Sequence, residues 1–212
     1  MSDGWVRRQE RTRRDVLDAA GRLIADGGLE GLTMRKLAEA AGVAVATLYN
    51  QFGDRDGVIV AFVSSGLDQL EIDLDTSPPA APIDATRALF EAFDDTFVAE
   101  PEVWRPIFAA LRSGSGPPGM GEVGDRVIQY IRDDFAKAAA DGCFALEVDV
   151  ARLAHHVFVT RMSRVEMWAQ GQIDWDWYRS SSCLGLELSL AAVLREPLRG
   201  QALQRSRVSP AD

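Results

Sequence analysis

The chain contains few of the residues that build covalent or metal-based scaffolds. Of its 212 residues only two are cysteines, Cys143 and Cys183, and two are histidines. A pair of distant cysteines makes neither a disulfide framework nor a metal site. We therefore expect a reduced, cytoplasmic protein that holds no metal and no cofactor.

Long apolar runs are also missing. No stretch of about 18 apolar residues occurs, so the sequence predicts no membrane-spanning helix and no membrane partner. Residues 1–14 are basic and polar with no apolar segment behind them, which argues against a secretory signal. No stretch alternates at the period of a strand, and we therefore expect an all-α fold.

Catalytic patterns are absent as well. The sequence has no phosphate-binding loop, no zinc motif and no evident set of nucleophile, base and acid. We therefore predict that the chain is not an enzyme and assign no catalytic residue. An enzyme that uses an aromatic cavity with His155 as its base is the weakest of the alternatives.

Charge is unevenly distributed along the chain. The net charge is -9, which by itself argues against a polyanionic partner. Residues 1–14 nevertheless hold five arginines against two acids, and residues 1–57 are balanced with nine of each sign. The acidic excess therefore lies away from the N-terminal end, and it would discourage loose, non-specific binding to DNA.

Residues 30–58 read EGLTMRKLAEAAGVAVATLYNQFGDRDGV and predict two short helices around a tight turn. Thr33 is a good N-cap for the first of them, and Gly42 allows the sharp turn. The second, at about residues 44–51, is too short to be stable alone, so Leu48 must face inward. With a preceding helix at about residues 11–25, ended by Gly27-Gly28, this is the build of a helix-turn-helix.

The remainder of the chain also reads as helical. A fourth helix is predicted at about residues 55–74, capped by Asp54, and it ends before the proline-rich residues 77–82, where we place the domain join. Further helices are predicted near residues 83–99, 102–112, 122–141, 147–170 and 174–195. The tail from residue 197 is polar and is expected to be flexible.

At this point the pattern resembles the tetracycline-repressor (TetR) family of transcriptional regulators. The matching residues are Ala19-Ala20, Leu23, Gly28, Thr33-Met34-Arg35, Leu37-Ala38, Ala41-Gly42-Val43, Thr47-Leu48-Tyr49, Phe52, Asp54-Arg55-Asp56 and Val58. The resemblance implies a DNA-binding domain at residues 1–56 with a basic arm at 1–14. It also implies a helical effector-binding and dimerisation domain at 57–196, followed by a flexible tail at 197–212.

The resemblance further implies a homodimer on a palindromic DNA operator and a small effector whose binding releases the DNA. Thr47 and Tyr49 match family positions that contact the DNA backbone, and Arg55 stands where the family usually has a lysine. Thr33 and Arg35 open the second helix, where free backbone N–H groups favour phosphate. A packing role for Tyr49 beside Phe52 and a solvated surface position for Arg35 are the alternatives.

The predicted recognition helix departs from the common family pattern because it contains no lysine or arginine. Ala44, Val45 and Ala46 begin it, and apolar side chains here can touch thymine methyl groups. Asn50 or Gln51 can hydrogen-bond a base or a phosphate. Our hypothesis is that specificity depends on apolar contact, on DNA shape and on the N-terminal arginines, with Arg7, Arg8 and Arg11 on a flexible arm. An ordinary solvated tail is the alternative.

The second half of the chain is rich in aromatic and large apolar residues that can line a pocket for an apolar or aromatic effector. The apolar candidates are Phe90, Phe93, Phe97, Trp104, Phe108, Tyr130, Phe158 and Met162. The polar side chains that could orient a ligand are His155, His156, Arg161 and Arg164 on one predicted helix, and at most one of the two adjacent histidines faces inward, for which we favour His155. Plain core packing is the alternative for each of them. A histidine pair without acidic or cysteine residues at helical spacing is a poor metal site.

The last predicted helix is apolar on two opposite sides. Leu184, Leu188 and Ala191 form one stripe, and Leu186, Leu190 and Val193 form a second. A helix of this kind is buried on both sides. We therefore predict that one side faces its own core and the other faces a second copy of the chain. A central helix in a monomer core is the alternative.

These observations predict a ligand-responsive transcriptional regulator, a repressor released from double-stranded DNA by a small molecule. Two alternatives stay open: an activator, and a regulator whose C-terminal domain binds a protein and no small molecule. The sequence does not identify the effector, the operator or the regulated genes.

Overall fold

The computed structural model describes residues 3–76, 81–112, 114 and 116–207. The described residues form ten α-helices, and their one extended pairing is an isolated antiparallel bridge between Phe144 and Leu194. The helices are α1 Asp3–Gly31, α2 Met34–Ala41, α3 Val45–Phe52, α4 Arg55–Thr76, α5 Asp84–Ala99, α6 Pro101–Arg112, α7 Met120–Ala140, α8 Val150–Ala169, α9 Trp175–Ala191 and α10 Leu198–Arg205. The all-α prediction is confirmed.

The local signals at the helix ends are confirmed. The Thr33 side chain accepts a hydrogen bond from the Lys36 N–H at 3.3 Å and caps α2. Gly42 ends α2 in the left-handed conformation at φ 66°, which favours glycine. The Asp54 carboxylate accepts from the Gly57 N–H at 2.8 Å, at the start of α4. Non-helical φ/ψ angles at Gly27 and Gly28 interrupt α1 where the sequence predicts a helix end.

The chain divides into two compact units, of which the first comprises Met1–Gln69 and Glu100–Val123. In this unit α1 packs against α2 and α6, and α2 packs against α3. The core is built from small and branched side chains such as Val16, Ala20 and Ile24, which are fully buried. These contacts give α3, only eight residues long, the packing that it needs.

The second unit comprises Leu70–Ala99 and Gly124–Asp212. In it α9 packs against both α8 and α10. Two polar links cross between its helices. Asp134 of α7 accepts hydrogen bonds from the backbone N–H and the hydroxyl of Thr86 in α5 at 2.9 and 2.7 Å. Arg87 of α5 pairs with Glu187 of α9 at 2.7 Å.

Two sequence predictions about the chain ends are wrong where the structure describes them. The N-terminal arm was expected to be flexible, but α1 already begins at Asp3, so residues 3–14 are helical. The tail was expected to be flexible from residue 197, but α10 packs on α9 and buries Ala202 completely. Packing against α9 supplies the stability of α10, whereas the described side chains of residues 4–11 are exposed and extend α1 without a buried face. Residues 1–2 and 208–212 lie outside the described residues.

The compact units also differ from the predicted three-part division at residues 56 and 196. The first unit extends to Gln69 and recruits residues 100–123, because α6 packs on α1. The proline-rich join was predicted at residues 77–82, of which 77–80 lie outside the described residues. The assignment of a separate function to each part of the chain stays a prediction.

Within the described ranges, no helix combines the length and apolar character that a membrane crossing requires. The same ranges contain no group of three or more His, Cys, Asp or Glu side chains placed to hold a metal ion.

Candidate nucleic-acid interface and effector region

Within one turn of helix α3, a buried residue that packs in the core is followed by residues that face solvent. Leu48 is completely buried, whereas the next side chain, Tyr49, is 52% exposed. Thr47 and Asn50 are exposed on the same outer surface, and Val45 and Ala46 are exposed at the start of the helix. Hydroxyl, phenol, amide and apolar groups are therefore presented together, which is a combination that suits phosphate contacts and thymine methyl groups.

Half of the Tyr49 surface is open to solvent, which favours a contact with DNA over the alternative of packing beside Phe52, and its role stays a prediction. The ring of Phe52 has a different partner. The guanidinium of Arg13 in α1 lies 5.1 Å from its centroid, a cation–π contact that ties α1 to α3. Arg13 thus supports the placement of α3, and the Tyr49 phenol is left free for a ligand.

The two short helices present backbone donors as well. Ala44 precedes α3 as its N-cap but provides no side-chain hydrogen bond, so the first N–H groups of α3 have no side-chain cap. Such groups at a helix N-terminus bind phosphate well. At α2 the Thr33 hydroxyl oxygen accepts the capping bond, which leaves its own proton available for donation.

The two basic candidates near these helices differ in their surroundings. Arg35 is exposed on α2, which fits either a solvated charge or a phosphate contact. Arg55 is half-buried, and its guanidinium lies 3.5 Å from the Asp56 carboxylate. This neighbouring acid partly offsets the charge that Arg55 would offer to a phosphate. Gln51, half-buried, completes the predicted DNA-binding set.

A groove of about 330 Å³ runs between the N-terminal part of α1 and the outer side of α3. Its lining residues are Trp5, Arg8, Gln9 and Thr12 from α1, and Thr47, Asn50 and Gln51 from α3. Trp5 was not among the sequence candidates, and it is 51% exposed. A large aromatic residue within a polar, arginine-rich segment was the signal that could have identified it.

The predicted effector residues do not all gather in one place. Trp104 and Phe108 belong to the first unit, where the Trp104 ring lies 5.6 Å from Phe62 and 6.0 Å from Phe108. These two therefore belong to a different unit from the remaining candidates, and their role in effector binding stays a prediction. The others, Phe90, Phe93, Phe97, Tyr130, His155, Phe158 and Met162, lie in the second unit. Whether any of them binds an effector stays a prediction.

Within the second unit, Phe90 and Phe97 are buried and Phe93 is half-buried, with its ring 5.7 Å from that of Phe97. Tyr130, Phe158 and Met162 are half-buried. Burial, together with the charge of Asp134 and other acids, raises the pKa of the Tyr130 phenol, which therefore stays protonated.

His155 was predicted to face inward, and it is exposed. Its neighbour Ala154 is completely buried, and Val157 and Arg161 are buried on the same side of α8. At about 100° per residue, His155 lies away from that side. The charged side chain that α8 buries on this side is therefore Arg161.

Arg161, one of the polar candidates of α8, belongs to a buried polar cluster whose other members, Asp94 and Tyr178, the sequence analysis missed. The Asp94 carboxylate accepts a hydrogen bond from Arg161 and another from the Tyr178 phenol at 2.7 Å. Arg161 also donates to the Phe90 carbonyl at 2.9 Å, and its guanidinium lies 4.2 Å from the Phe90 ring centroid. Burial raises the pKa of Tyr178, so the phenol stays protonated. The signal available in sequence was a charged residue inside an apolar stripe: Asp94 stands four residues after Phe90 and three before Phe97.

Helix α9 exposes one of its two apolar stripes. Leu186 and Leu190 are buried, while Leu184 and Leu188 are 42% and 48% exposed. Two members of the predicted set behave differently. Ala191 is buried although it was assigned to the stripe of Leu184, and Val193 lies beyond the end of α9, where its carbonyl accepts the Ala145 N–H. The contact with a second copy stays a prediction.

Comparison with known proteins gives consistent matches. The family model for bacterial regulatory proteins of the tetR family matches residues 16–62. A helix-turn-helix-type transcriptional regulator of Mycobacterium tuberculosis is 31% identical over 147 residues, which span 67% of this chain and 68% of that protein. The structure of SmeT, the repressor of the Stenotrophomonas maltophilia multidrug efflux pump SmeDEF, matches with a TM-score of 0.66 at 17% identity. That match covers 88% of this chain and 92% of SmeT. A SmeT–triclosan complex matches with a TM-score of 0.63 at 17% identity and covers 89% of this chain and 94% of SmeT.

Proposed function

This chain belongs to the TetR family of bacterial transcriptional regulators, and from that premise we propose that it is a repressor released from a palindromic operator by a small, largely apolar or aromatic effector. The chain is a DNA-binding regulator of the helix-turn-helix type, a class that is not enzymatic. As a DNA-binding regulator it acts in the cytoplasm, where bacterial DNA lies.

The observation that carries the proposal is the outward face of α3. Thr47, Tyr49 and Asn50 are exposed together while Leu48 anchors the helix from below. A helix held in this way can enter the major groove while its polar groups reach the flanking phosphates. Because α3 has no lysine or arginine, apolar contact and DNA shape would contribute much of the specificity.

Residues of α1 would extend this interface. Arg8, Gln9 and Thr12 line the groove beside α3, and the helical form of residues 3–14 keeps them there without a large ordering cost. Their contribution would be phosphate contacts, which set affinity and its salt dependence. The hypothesis of a flexible arginine arm is replaced by a helix that offers arginines from a fixed position.

Release by an effector requires that the effector prefers a conformation in which the DNA-binding helices no longer match the operator. Helix α4 contributes residues to both compact units, so it is the natural element to transmit such a change. The match to SmeT supports a repressor that responds to a small molecule, since SmeT is named as a repressor and its structure with triclosan has the same fold. The buried aromatic residues of the second unit support an apolar or aromatic effector.

The DNA-binding part is tested by selecting bound sequences from a random duplex library and measuring affinity for the recovered site. We expect an inverted repeat. Tyr49→Phe and Thr47→Val should each weaken binding by a similar factor on all sequences and leave the salt slope unchanged, because neither side chain carries a charge that neutralises a phosphate. Tyr130→Phe, the same chemical change in the second unit, is the matched control and should leave the affinity unchanged. Selection of an unrepeated, guanine-rich site would contradict the proposed mode of recognition.

The effector part is tested by a thermal-shift screen with apolar and aromatic small molecules, followed by DNA release on the recovered site. A compound that raises the melting temperature and also dissociates the DNA complex supports the repressor model. A compound that strengthens the DNA complex would indicate an activator or a co-repressed regulator. If no compound binds and the second unit captures a protein instead, the alternative of a protein-binding regulator is favoured.

The dimer part is tested on the exposed stripe of α9. We expect the parent protein to be a dimer by light scattering and Leu188→Glu to be a monomer, because a charge cannot be buried there without a partner. Val98→Glu changes a residue on α5 that is 47% exposed, close to the 48% of Leu188, and it is the matched control. Persistence of the dimer in Leu188→Glu would place the interface elsewhere.

A further inference from the structure

A small cavity lies in the second unit, bordered by α5, α8 and α9. Its polar lining consists of Thr160, Arg161 and Arg164 from α8 and Ser182 and Ser189 from α9, and its apolar lining includes Phe90. The open space is about 10 Å³, which admits about one water molecule. The cavity is therefore nearly closed. Five of its lining side chains are polar, which is unusual for a space inside a helical core.

The charges around this cavity are not balanced. Arg161 is neutralised by Asp94. Arg164, one turn further along α8, donates to the Thr160 carbonyl at 2.8 Å and has no carboxylate partner among the described residues. Burial, with the nearby charge of Arg161, lowers the pKa of Arg164. One positive charge thus stays uncompensated beside the cavity.

The opposite wall of the cavity accommodates this guanidinium. A Cβ atom at Gly185 would lie 3.1 Å from Nη2 of Arg164, closer than ordinary side-chain contacts, so glycine leaves the room that the guanidinium occupies. The Ser182 hydroxyl is buried on the same helix and makes no hydrogen bond of normal geometry within the described residues. The Tyr178 phenol donates its proton to Asp94, so its oxygen can only accept a hydrogen bond from Ser182. The single Ser182 proton can therefore turn either to the phenol oxygen or to an acceptor in the cavity.

We propose that this cavity receives a carboxylate group of the effector, with the Arg164 guanidinium and the Ser182 hydroxyl as its donors and the Phe90 ring beside its apolar part. A planar guanidinium matches a carboxylate with two parallel hydrogen bonds. A single carboxylate would also neutralise the one unpaired charge. The proposal rests on the proposed function, because it names the chemical class of the effector that the second unit would bind.

The nearly closed state of the cavity gives such a ligand a means of control. A carboxylate needs more space than one water, so α8 and α9 or their side chains must move apart to admit it. A ligand that binds one arrangement and not the other shifts the balance between them. The opening would therefore be coupled to binding.

The first experiment compares a set of small aromatic and aliphatic carboxylates with their neutral amides, pair by pair, by isothermal titration calorimetry on the full chain. Phenylacetate and phenylacetamide are the central pair because they differ in charge and little in shape. A charge-assisted hydrogen bond contributes enough to give about a tenfold or larger preference for the acid. Equal affinities, a preference for the amides, or no binding by any of the acids would overturn the proposal.

The second experiment assigns the preference to Arg164. Arg164→Gln should abolish the preference for carboxylate while leaving amide binding unchanged, a result that a merely structural role would not produce. Arg164→Lys should retain part of the preference, because the charge remains but the paired hydrogen bonds do not. Ser182→Ala should weaken acid binding several-fold. Arg152→Gln removes an arginine from α8 whose side chain is 89% exposed, and it is the matched control. A preference that persists unchanged in Arg164→Gln would refute the assignment.

The third measurement separates this proposal from the proposed function. Each ligand and variant is also assayed for DNA release on the selected operator. If carboxylates bind through Arg164 but do not release DNA, the carboxylate site is supported and the release mechanism is contradicted. If the amides release DNA as effectively as the corresponding acids, the release mechanism is supported and the carboxylate site is contradicted.

Discussion

Adjacent residues on α3 allow stability and recognition to be perturbed separately. Leu48 is completely buried, and Leu48→Ala removes most of its side chain from a packed core. Loss of the buried surface and the cavity left behind together cost about 3 kcal/mol of unfolding free energy. Since domains of this kind are stable by only about 5–15 kcal/mol, the first unit should lose a large share of its stability, with a fall in melting temperature of roughly 10 °C.

The assay is urea unfolding followed by circular dichroism and tryptophan fluorescence, combined with DNA binding by fluorescence anisotropy well below the melting temperature. Tyr49→Ala is the internal control, because its side chain is 52% exposed and its removal should change stability by no more than about 0.5 kcal/mol. The two variants should therefore show opposite patterns. Leu48→Ala should lose stability and bind DNA in proportion to its folded fraction, whereas Tyr49→Ala should stay folded and bind weakly. The reasoning would be refuted if Leu48→Ala were as stable as the parent, or if Tyr49→Ala were the less stable of the two.

Three further predictions concern single residues. Thr33→Ala removes the side-chain acceptor of the Lys36 N–H and should cost about 1 kcal/mol by urea unfolding, while Thr33→Ser, which keeps the cap, should cost much less. Burial raises the pKa of Tyr178 in the folded state, so its stabilising contribution is complete below the unfolded value of about 10 and is lost as the pH rises above it. Tyr178→Phe should therefore flatten the alkaline loss of stability, and an unchanged pH profile would contradict this. Burial also raises the pKa of the Cys143 and Cys183 thiols, so both should be alkylated by iodoacetamide more slowly at neutral pH than a free cysteine, as mass spectrometry of timed samples can measure.

The helix-turn-helix was predictable because its signals are local. A threonine cap, a left-handed glycine and a buried leucine each act within a few residues of chain, and all three lie where the sequence places them. The beginning of α1 was not predictable in the same way. Residues 3–14 are mostly polar and carry no clear apolar stripe, so the sequence gives no reason to prefer helix over flexible chain there.

Long-range packing accounts for most of what the sequence did not reveal. Nothing local distinguishes α6 from the helices of the second unit, yet it packs on α1, and this places Trp104 and Phe108 in the first unit. Asp94 and Arg161 are 67 positions apart, and nothing local in the sequence indicates that they pair. Their pairing becomes visible when the buried sides of α5 and α8 are known together.

The packing of α6 on α1 also has a consequence for engineering. A hybrid regulator joins the DNA-binding domain of one protein to the effector-binding domain of another at a single fusion point. Here a splice after Gln69 would discard residues 100–123, whose helix α6 covers α1. A DNA-binding domain taken from this chain would need α6 as a second segment. A hybrid made at a single fusion point would lack α6 and would expose the apolar surface of α1 to solvent.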